Sequence, residues 1–166
     1  MPERSRLERT FFRLEAQHAC LTWAFSEIAA RPGPVLELGL GHGRTFDHMR
    51  RNLPGREIWV FDRANDAYED CWPDPDHLIL GEIAETFPAF ASRVAGKVVL
   101  ANSDIGYFAS GPSRQNAQLA ARLLPPVMAP GGIIMSDLDL DLPGFETLPL
   151  PAGARPGTYY LYRRPL

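Results

Sequence analysis

Apolar and polar residues alternate along this chain with two periods, one typical of a helix and the other of buried strands. Over the first thirty residues, apolar positions recur at alternating spacings of four and three, the period of an amphipathic helix. This stripe consists of Leu7, Phe11, Leu14, His18, Leu21, Phe25 and Ile28. Residues 31–34 hold two prolines and a glycine, so we predict one long helix within residues 1–31. We expect the stripe to pack on the protein's own sheet, and a coiled-coil seam with a second chain is the alternative.

Short apolar runs and helix-like stretches alternate after this helix. The predicted strands cover residues 34–38, 57–62, 77–80, 97–101 and 133–136. The predicted helices cover residues 44–53, 82–94 and 113–128. Pro88 is expected to break the second of these helices, and Ser113 to cap the third. Alternation of this kind predicts a parallel sheet with helices on both faces.

The C-terminal part of the chain follows a different pattern. Residues 145–150 and 158–162 indicate two strands joined by a turn rich in proline and glycine. We therefore expect an α/β fold with a long N-terminal helix and a doubly wound, mostly parallel sheet that ends in an antiparallel hairpin. The whole chain, 1–166, is expected to form one domain, with the helix in 1–31, the core in 34–136 and the hairpin in 145–163.

Composition and charge narrow the possible functions. The chain has 166 residues and a net charge of −3, with no dense basic stripe outside the first helix, which argues against nucleic-acid binding. The arginines of that helix are mixed with glutamates and are interpreted as its solvated face. No apolar run is long enough to span a membrane, and charged residues interrupt the N-terminal segment where a signal peptide would be apolar. We therefore expect a cytoplasmic location. The two cysteines, Cys20 and Cys71, have no metal-binding or disulfide spacing and are interpreted as free thiols.

The most informative motif follows the first predicted strand. Glu37 closes an apolar run, and Gly39, Gly41 and Gly43 follow at alternate positions before a helix begins. Glycines at such a turn let the backbone approach a ligand, and the amides that start the helix then face it. The next predicted strand ends in Asp62, about twenty residues further on, where a ribose-binding carboxylate is expected because it accepts hydrogen bonds through two oxygens.

This pattern resembles motif I of the class I S-adenosylmethionine-dependent methyltransferases, a family with a Rossmann-like fold. The resemblance implies that Gly39, Gly41 and Gly43 face the amino-acid part of S-adenosylmethionine. It also implies that Glu37 helps to hold the methionine ammonium group and that Asp62 accepts the ribose hydroxyls. The family usually has a helix between its fifth and sixth strands, and residues 137–144 are too few for one.

Further cofactor-binding candidates follow from the same resemblance. Their expected positions are beside the adenine ring, after the third strand, inside the glycine loop and at the end of the fourth strand. They are Arg63, Glu82, Ile83, His42 and Asn102. Glu82 is assigned to the adenine amino group and Ile83 to the ring, although Glu82 could equally just begin a helix. His42 could equally be a loop residue bonded to backbone.

The catalytic side is less clear in the sequence. In this fold the loop after the fourth strand contacts the substrate, so Asp104 and Tyr107 are the catalytic candidates. The loop lacks the Asn/Asp-Pro-Pro-aromatic motif of methyltransferases that act on nucleobases or glutamine. A divalent ion is an alternative, because Asp104, Asp137 and the acids after it could line one strand face. We expect no metal, since Leu138 replaces the second residue of the family's metal-binding pair.

We therefore expect a methyltransferase that acts on a small acceptor through oxygen or nitrogen. The expected partners are a small-molecule substrate and further copies of this chain, as a dimer or tetramer, without nucleic acid or membrane. A nicotinamide-dependent oxidoreductase is one alternative, which the missing G-x-G-x-x-G spacing disfavours. A protein that binds the cofactor or a partner without catalysis is the other.

Overall fold

Seven strands form one sheet at the centre of the protein. The computed structural model describes residues 3–106 and 113–166. The strands are β1 (Val35–Leu38), β2 (Ile58–Asp62), β3 (Leu78–Leu80), β4 (Val98–Ser103), β5 (Met128–Ser136), β6 (Glu146–Leu148) and β7 (Tyr160–Arg163). Their order across the sheet is β3-β2-β1-β4-β5-β7-β6. The first five are parallel, so the predicted doubly wound sheet is confirmed.

The change of strand order at β1 creates the place where a ligand is expected. From β1 the chain moves outward to β2 and β3, and it then returns to β4 on the other side of β1. Loops that leave the carboxyl ends of β1 and β4 therefore separate and leave a crevice between them. Every residue of both strands is buried, as their continuous apolar runs predict for strands covered on both faces.

Four α-helices cover the sheet. They are α1 (Arg6–Ile28), α2 (Arg44–Asn52), α3 (Ile83–Val94) and α4 (Ser113–Leu123). Helix α1 begins with a capping box, in which Ser5 and Glu8 satisfy each other's backbone amides. Among the described residues, no helix combines the length and the apolar composition that crossing a bilayer requires.

The face of α1 that packs on the sheet differs from the predicted stripe. Its buried residues are Ala16, Gln17, Cys20, Leu21, Ala24 and Ile28. Small side chains at every fourth position let the helix approach the sheet closely. Of the stripe, only Leu21 and Ile28 are buried, whereas Leu7 and Phe11 are 79% and 56% exposed. The expectation that the whole stripe packs on the sheet is therefore wrong for its N-terminal half.

Three local predictions are also wrong, and all three involve proline. Pro88 lies inside α3 without breaking it, because Phe87 and Phe90 anchor the helix in the core on either side. The helix predicted to reach residue 128 ends at Leu123, since Pro125 and Pro126 follow and start a short 3-10 turn. Strand β5 begins at Met128 rather than at the predicted residue 133, and it therefore includes Pro130.

The C-terminal hairpin is confirmed. Strand β7 pairs antiparallel with β5 on one side and with β6 on the other. No helix connects β5 and β6, as the short segment of residues 137–144 predicts. The pairing brings Tyr159, just before β7, into the core beside α1.

Candidate active site

The glycine turn after β1 allows the loop after β4 to lie against it. Gly39 has a φ of 89°, and a Cβ placed there would lie 2.3 Å from the backbone oxygen of Asp104. Any side chain at this position would therefore collide with backbone, which cannot easily move. Gly41 also has a positive φ, of 51°, but a Cβ there would meet no atom within 4 Å. Gly39 therefore serves packing between two loops, whereas Gly41 borders open space.

Asp62 holds the glycine turn in shape. Its Oδ2 accepts hydrogen bonds from the backbone amides of Leu40 at 2.7 Å and Gly41 at 3.1 Å. Its Oδ1 accepts one from the amide of Arg63 at 2.6 Å. The carboxylate thus orients the turn through charge-assisted bonds before any ligand arrives. The Oδ2 atom accepts two bonds, so the second lone pair of Oδ1 is the one that a ligand hydroxyl can use.

A buried polar layer lies beneath the turn. Glu37 is fully buried, and its Oε1 accepts hydrogen bonds from Thr45 at 2.8 Å and from the Asn102 amide at 2.9 Å. Burial raises the pKa of Glu37 to about 8, although these two hydrogen bonds act in the opposite direction. Its Oε2 and the Oδ1 of Asn102 are buried without a hydrogen-bond partner among the described residues. Buried atoms of this kind indicate a polar group that is supplied by a ligand or by water.

A cavity of about 350 Å³ opens above this layer, and we call it the glycine-loop cavity. It lies between the carboxyl ends of β1, β2 and β4 and is closed on one side by α4. Its lining consists of Gly39, Gly41, Asp62, Arg63, Glu82, Ile83, Asp104, Ile105, Gly106, Asn116 and Leu119. Arg63 and Glu82 approach to 4.0 Å across its rim. Six of the lining residues belong to the set predicted for cofactor binding, whereas the predicted Glu37 and Asn102 do not line this cavity.

Asp104, predicted as catalytic, is held by α1. The guanidinium of Arg13 donates to both carboxylate oxygens, at 2.5 and 2.6 Å, and the Gln17 amide donates to Oδ2 at 3.0 Å. The same amide lies 3.2 Å from the hydroxyl of the buried Tyr159. Both oxygens of Asp104 are thus engaged by donors from α1, which fix the position of this carboxylate. The arrangement joins α1, the end of β4 and the start of β7 around one carboxylate.

Asp137 lies next to this network at the end of β5. Its Oδ2 accepts a hydrogen bond from the Gly106 amide at 3.0 Å. The pKa of Asp137 is raised to about 7, chiefly by burial and also by the negative charge of Asp104, while Arg13 acts in the opposite direction. The Oδ1 of Asp137 is buried and has no hydrogen-bond partner among the described residues, and the Asp104 carboxylate is the neighbouring charge with which Asp137 forms a carboxyl pair. A carboxyl that titrates near neutral pH is suited to take up a proton from a bound substrate.

A second cavity, of about 480 Å³, lies on the other side of this carboxyl pair, and we call it the arginine cavity. Its lining consists of Glu3, Arg4, Arg9, Phe12, Arg13, Gly106, Asp137, Leu138, Gly157 and Thr158. Gly106 borders both cavities, Asp104 borders the glycine-loop cavity, and Asp137 borders the arginine cavity. The two cavities therefore meet at the carboxyl pair. A ligand in the glycine-loop cavity and a ligand in the arginine cavity could therefore approach each other at the carboxyl pair.

Other predicted site residues lie elsewhere. The His42 ring stacks on Tyr68 with 5.2 Å between ring centroids, and its Nδ1 lies 3.4 Å from the backbone oxygen of Asp66. A Cβ on Gly43 would lie 2.7 Å from that of Cys71, so this glycine serves packing against the following loop. Neither residue is among those that line the glycine-loop cavity. Tyr107, the second catalytic candidate, lies outside the described residues.

The acids that follow Asp137 do not form the strand face that the metal alternative needs. Strand β5 ends at Ser136, and Asp139 and Asp141 project from an irregular segment. Asp139 accepts a hydrogen bond from the Tyr162 hydroxyl at 2.8 Å, and both acids are exposed. The residues in 3–106 and 113–166 contain no cluster of three potential metal ligands. The predicted alignment of three carboxylates is therefore wrong.

Several site residues were not found from the sequence. Arg13 and Gln17 were interpreted only as parts of the N-terminal helix, and Tyr159 only as part of a strand. Asp137 was considered solely as a metal ligand. Its place at the carboxyl end of the strand beside β4 was a usable signal, because parallel strands bring their ends to the same edge of the sheet.

Comparison with solved structures places this fold among known enzymes. A protein solved as an S-adenosyl-L-methionine methyl transferase from Silicibacter pomeroyi DSS-3 is 41% identical, with a TM-score of 0.93, and the match covers 98% of this chain and 99% of that one. A putative caffeoyl-CoA O-methyltransferase from Staphylococcus aureus has a TM-score of 0.57 at 12% identity, over 98% and 85% of the two chains. The MycE methyltransferase of the mycinamycin pathway, in complex with Mg and SAH, has a TM-score of 0.57 at 14% identity, over 99% and 49%. The last two likenesses show the fold alone.

The strand order, the glycine turn and the acid at the end of β2 define the class of S-adenosylmethionine-dependent methyltransferases with a Rossmann-like fold. A family model described as S-adenosyl-L-methionine methyltransferase matches residues 4–164. The chain belongs to this family, and S-adenosyl-L-methionine is its cofactor. The search of the curated proteins found no match. The family match decides against the alternative of a nicotinamide-dependent oxidoreductase.

Proposed function

We propose that this protein transfers a methyl group to an oxygen or nitrogen atom of a small molecule bound in the arginine cavity. The observation that carries the proposal is the meeting of the two cavities at Gly106, between Asp104 and Asp137. A donor in one cavity and an acceptor in the other would face each other there. Positioning of this kind supplies much of the rate acceleration in a transfer between two bound reactants.

The glycine-loop cavity has the groups that the cofactor requires. Gly41 leaves space beside the turn, and Oδ1 of Asp62 can accept a ribose hydroxyl while the carboxylate keeps its bonds to the turn. Ile83 offers an apolar contact for the adenine ring, with Glu82 and Arg63 at the rim. Glu37 and Asn102 lie beneath the turn, where their unpartnered oxygens favour the positively charged methionine end. The residues present therefore fit S-adenosyl-L-methionine.

The chemistry divides between the cofactor and Asp137. When bound, S-adenosyl-L-methionine supplies an activated methyl group, which forms a bond to the acceptor's lone pair as its bond to sulfur breaks. The acceptor must lose a proton to stay neutral, and we assign that proton to the Asp137 carboxylate. Asp104 is a positioning residue in this scheme, because Arg13 and Gln17 occupy its oxygens and its charge tunes Asp137.

The first experiment is calorimetry with S-adenosylmethionine, S-adenosylhomocysteine and NAD as ligands. We expect the first two to bind and NAD not to bind. Asp62→Ala should weaken cofactor binding at least about tenfold, because it removes a charge-assisted acceptor and loosens the turn. Asp66→Ala is the matched control on the next loop, and its carboxylate is exposed. If the cofactor does not bind, or if Asp62→Ala binds it normally, this site assignment fails.

Turnover on a panel of small alcohols, phenols and amines separates catalysis from simple cofactor binding. Transfer to any of them by the wild type, with loss in Asp137→Asn, supports the proposed chemistry. Tight cofactor binding without transfer to any acceptor would instead favour the non-catalytic alternative.

We also propose that the protein self-associates through the exposed face of α1. Leu7, Phe11 and Leu14 are exposed at coiled-coil spacing, although the same stripe is buried further along the helix. A second copy would cover these side chains with the same apolar pattern. We expect a dimer or tetramer by light scattering, and a smaller species for Leu7→Ser/Phe11→Ser. A monomeric wild type contradicts this proposal.

A further inference from the structure

The arginine cavity carries a charge opposite in sign to that of the whole chain. The chain has a net charge of −3, yet three arginines line this cavity. Arg13 is engaged with Asp104 at the carboxyl pair. Arg9 lies one turn earlier in the same helix, about 6 Å further from that pair by the rise of a helix. Helix α1 therefore carries a further positive charge, that of Arg9, one turn beyond the arginine that neutralises Asp104.

The only carboxylate paired with Arg9 within the described residues is a weak partner. Glu3 lies 3.4 Å from the Arg9 guanidinium, but its side chain is 92% exposed. Such an exposed pair is worth little and can be exchanged for a better acceptor. Arg4 forms no salt bridge with any residue in the described parts of the chain. Of the three arginines that line the cavity, one has a partly buried carboxylate partner, one has an exposed partner and Arg4 has no salt bridge within the described residues.

The two arginines are held in place before a ligand arrives. The Arg4 guanidinium lies 5.1 Å from the centroid of the Phe12 ring, and Arg9 donates to the backbone oxygen of Arg4 at 3.1 Å. The capping box at Ser5 fixes the backbone immediately after Arg4, with bonds of 2.8 and 3.2 Å. Preorganised guanidinium groups lose less freedom when they bind an anion, and their planar donors match carboxylate and phosphate oxygens.

From this arrangement we propose, on the basis of the proposed function, that the methyl acceptor is a small organic acid. Its anionic group binds Arg4 and Arg9, and its hydroxyl or amino group lies at Asp137 where the two cavities meet. Phe12 and Leu138 give the cavity an apolar wall for the part of the molecule that connects the two groups. The cavity volume of about 480 Å³ suits a metabolite-sized ligand and excludes a folded protein or a duplex.

The test uses pairs of compounds that differ only in charge. Hydroxy and amino carboxylic acids, their amides and the corresponding phosphate esters are titrated against the full chain loaded with S-adenosylhomocysteine, and transfer from S-adenosylmethionine is then measured. We expect at least one acid to bind at least about tenfold more tightly than its amide, and the preference to shrink as salt is raised. Preference for carboxylates or for phosphate esters identifies which anion the site takes.

Arginine variants connect this preference to the cavity. Arg4→Gln is expected to raise the Kd of the best acid, and the KM where transfer is measured, about tenfold while it leaves cofactor affinity unchanged. Arg6→Gln is the matched control, because it removes the same charge two residues away from a position outside the cavity lining. Unchanged Kd in Arg4→Gln and Arg9→Gln, equal binding of acids and amides, or no binding of any acid at millimolar concentration overturns the proposal. Because cofactor binding is measured separately, failure of the proposed function itself is distinguishable.

Discussion

The glycine turn that borders the glycine-loop cavity is held by a residue close in the sequence, whereas the contacts beside the arginine cavity join residues far apart. Asp62 holds Leu40 and Gly41, which lie 22 and 21 residues away. Arg13 reaches Asp104 across 91 residues, and Gln17 contacts Tyr159 across 142. The first cavity uses backbone geometry, and the second uses side-chain charge. The shape of the glycine turn is therefore specified locally, while the position of Asp104 depends on residues from both ends of the chain.

We expect the greatest loss of stability from a substitution at the contact between the glycine turn and the loop after β4. Gly39→Ala should destabilise the protein by about 3 kcal/mol or more, since the new Cβ collides with the Asp104 backbone and the residue is strained at positive φ. Gly55→Ala is the control, with a similar φ of 75° and no atom near the new Cβ, and should lose about 1 kcal/mol. Urea unfolding measures both. Equal losses would mean that the contact between the loops contributes nothing.

We expect a smaller loss of stability when the ion pair between Arg13 and Asp104 beside the arginine cavity is removed. Arg13→Gln should lower the free energy of unfolding by about 2 kcal/mol, because it leaves the two neighbouring carboxyls without their cation. This figure is below that for a fully buried pair, since a quarter of the Arg13 side chain is exposed. Arg51→Gln, which breaks an exposed pair with Asp47 in α2, should cost less than about 0.5 kcal/mol. If the two variants lose the same amount, α1 is not held by this contact.

The third prediction concerns pH. The pKa of Asp137 is raised to about 7, so the folded protein binds this proton more tightly than the unfolded chain does. The contribution of Asp137 to the free energy of unfolding is fully present below about pH 4, the ordinary pKa of a carboxyl group. It is lost as the pH rises through about 7. Between these values Asp137→Asn should remove a downward slope of up to about 1.4 kcal/mol per pH unit.

Activity should change in the opposite direction over the same range. If Asp137 accepts the acceptor's proton, kcat/KM rises as pH increases through about 7, and Asp137→Asn abolishes this rise. Denaturant unfolding at a series of pH values and initial rates on the best acceptor measure the two effects. A wild-type profile that is flat from pH 5 to 8 in both measurements would contradict the role given to Asp137.

The smallest expected effect is at His42. Its ring packs on Tyr68 outside the glycine-loop cavity, although it lies within the glycine motif. His42→Ala should therefore leave the affinity for S-adenosylmethionine unchanged and cost no more than about 0.5 kcal/mol of stability. A tenfold loss of affinity, measured by calorimetry, would return His42 to the cofactor site.

The contrast between the two cavities explains what could be predicted from the sequence. The turn at Gly39 and Gly41, and Asp62 after the next strand, are adjacent motifs whose spacing alone indicates their geometry. Arg13 and Gln17 gave no such signal, because a polar residue on an amphipathic helix is usually solvated and only the fold brings Asp104 to it. The helix ends were predicted wrongly near prolines, because the effect of a proline depends on the packing around it. Pro88 is tolerated between buried phenylalanines, whereas Pro125 ends a helix.

The contact between Gln17 and Tyr159 has a consequence for the order in which the protein matures. During synthesis, β1 to β4 and their glycine turn can form while the later strands are still being made. The Asp104 network lacks its last member until residue 159 has left the ribosome and β7 has paired with β5. The carboxylate that lies where the two cavities meet therefore gains its complete set of contacts only after both ends of the chain have been made.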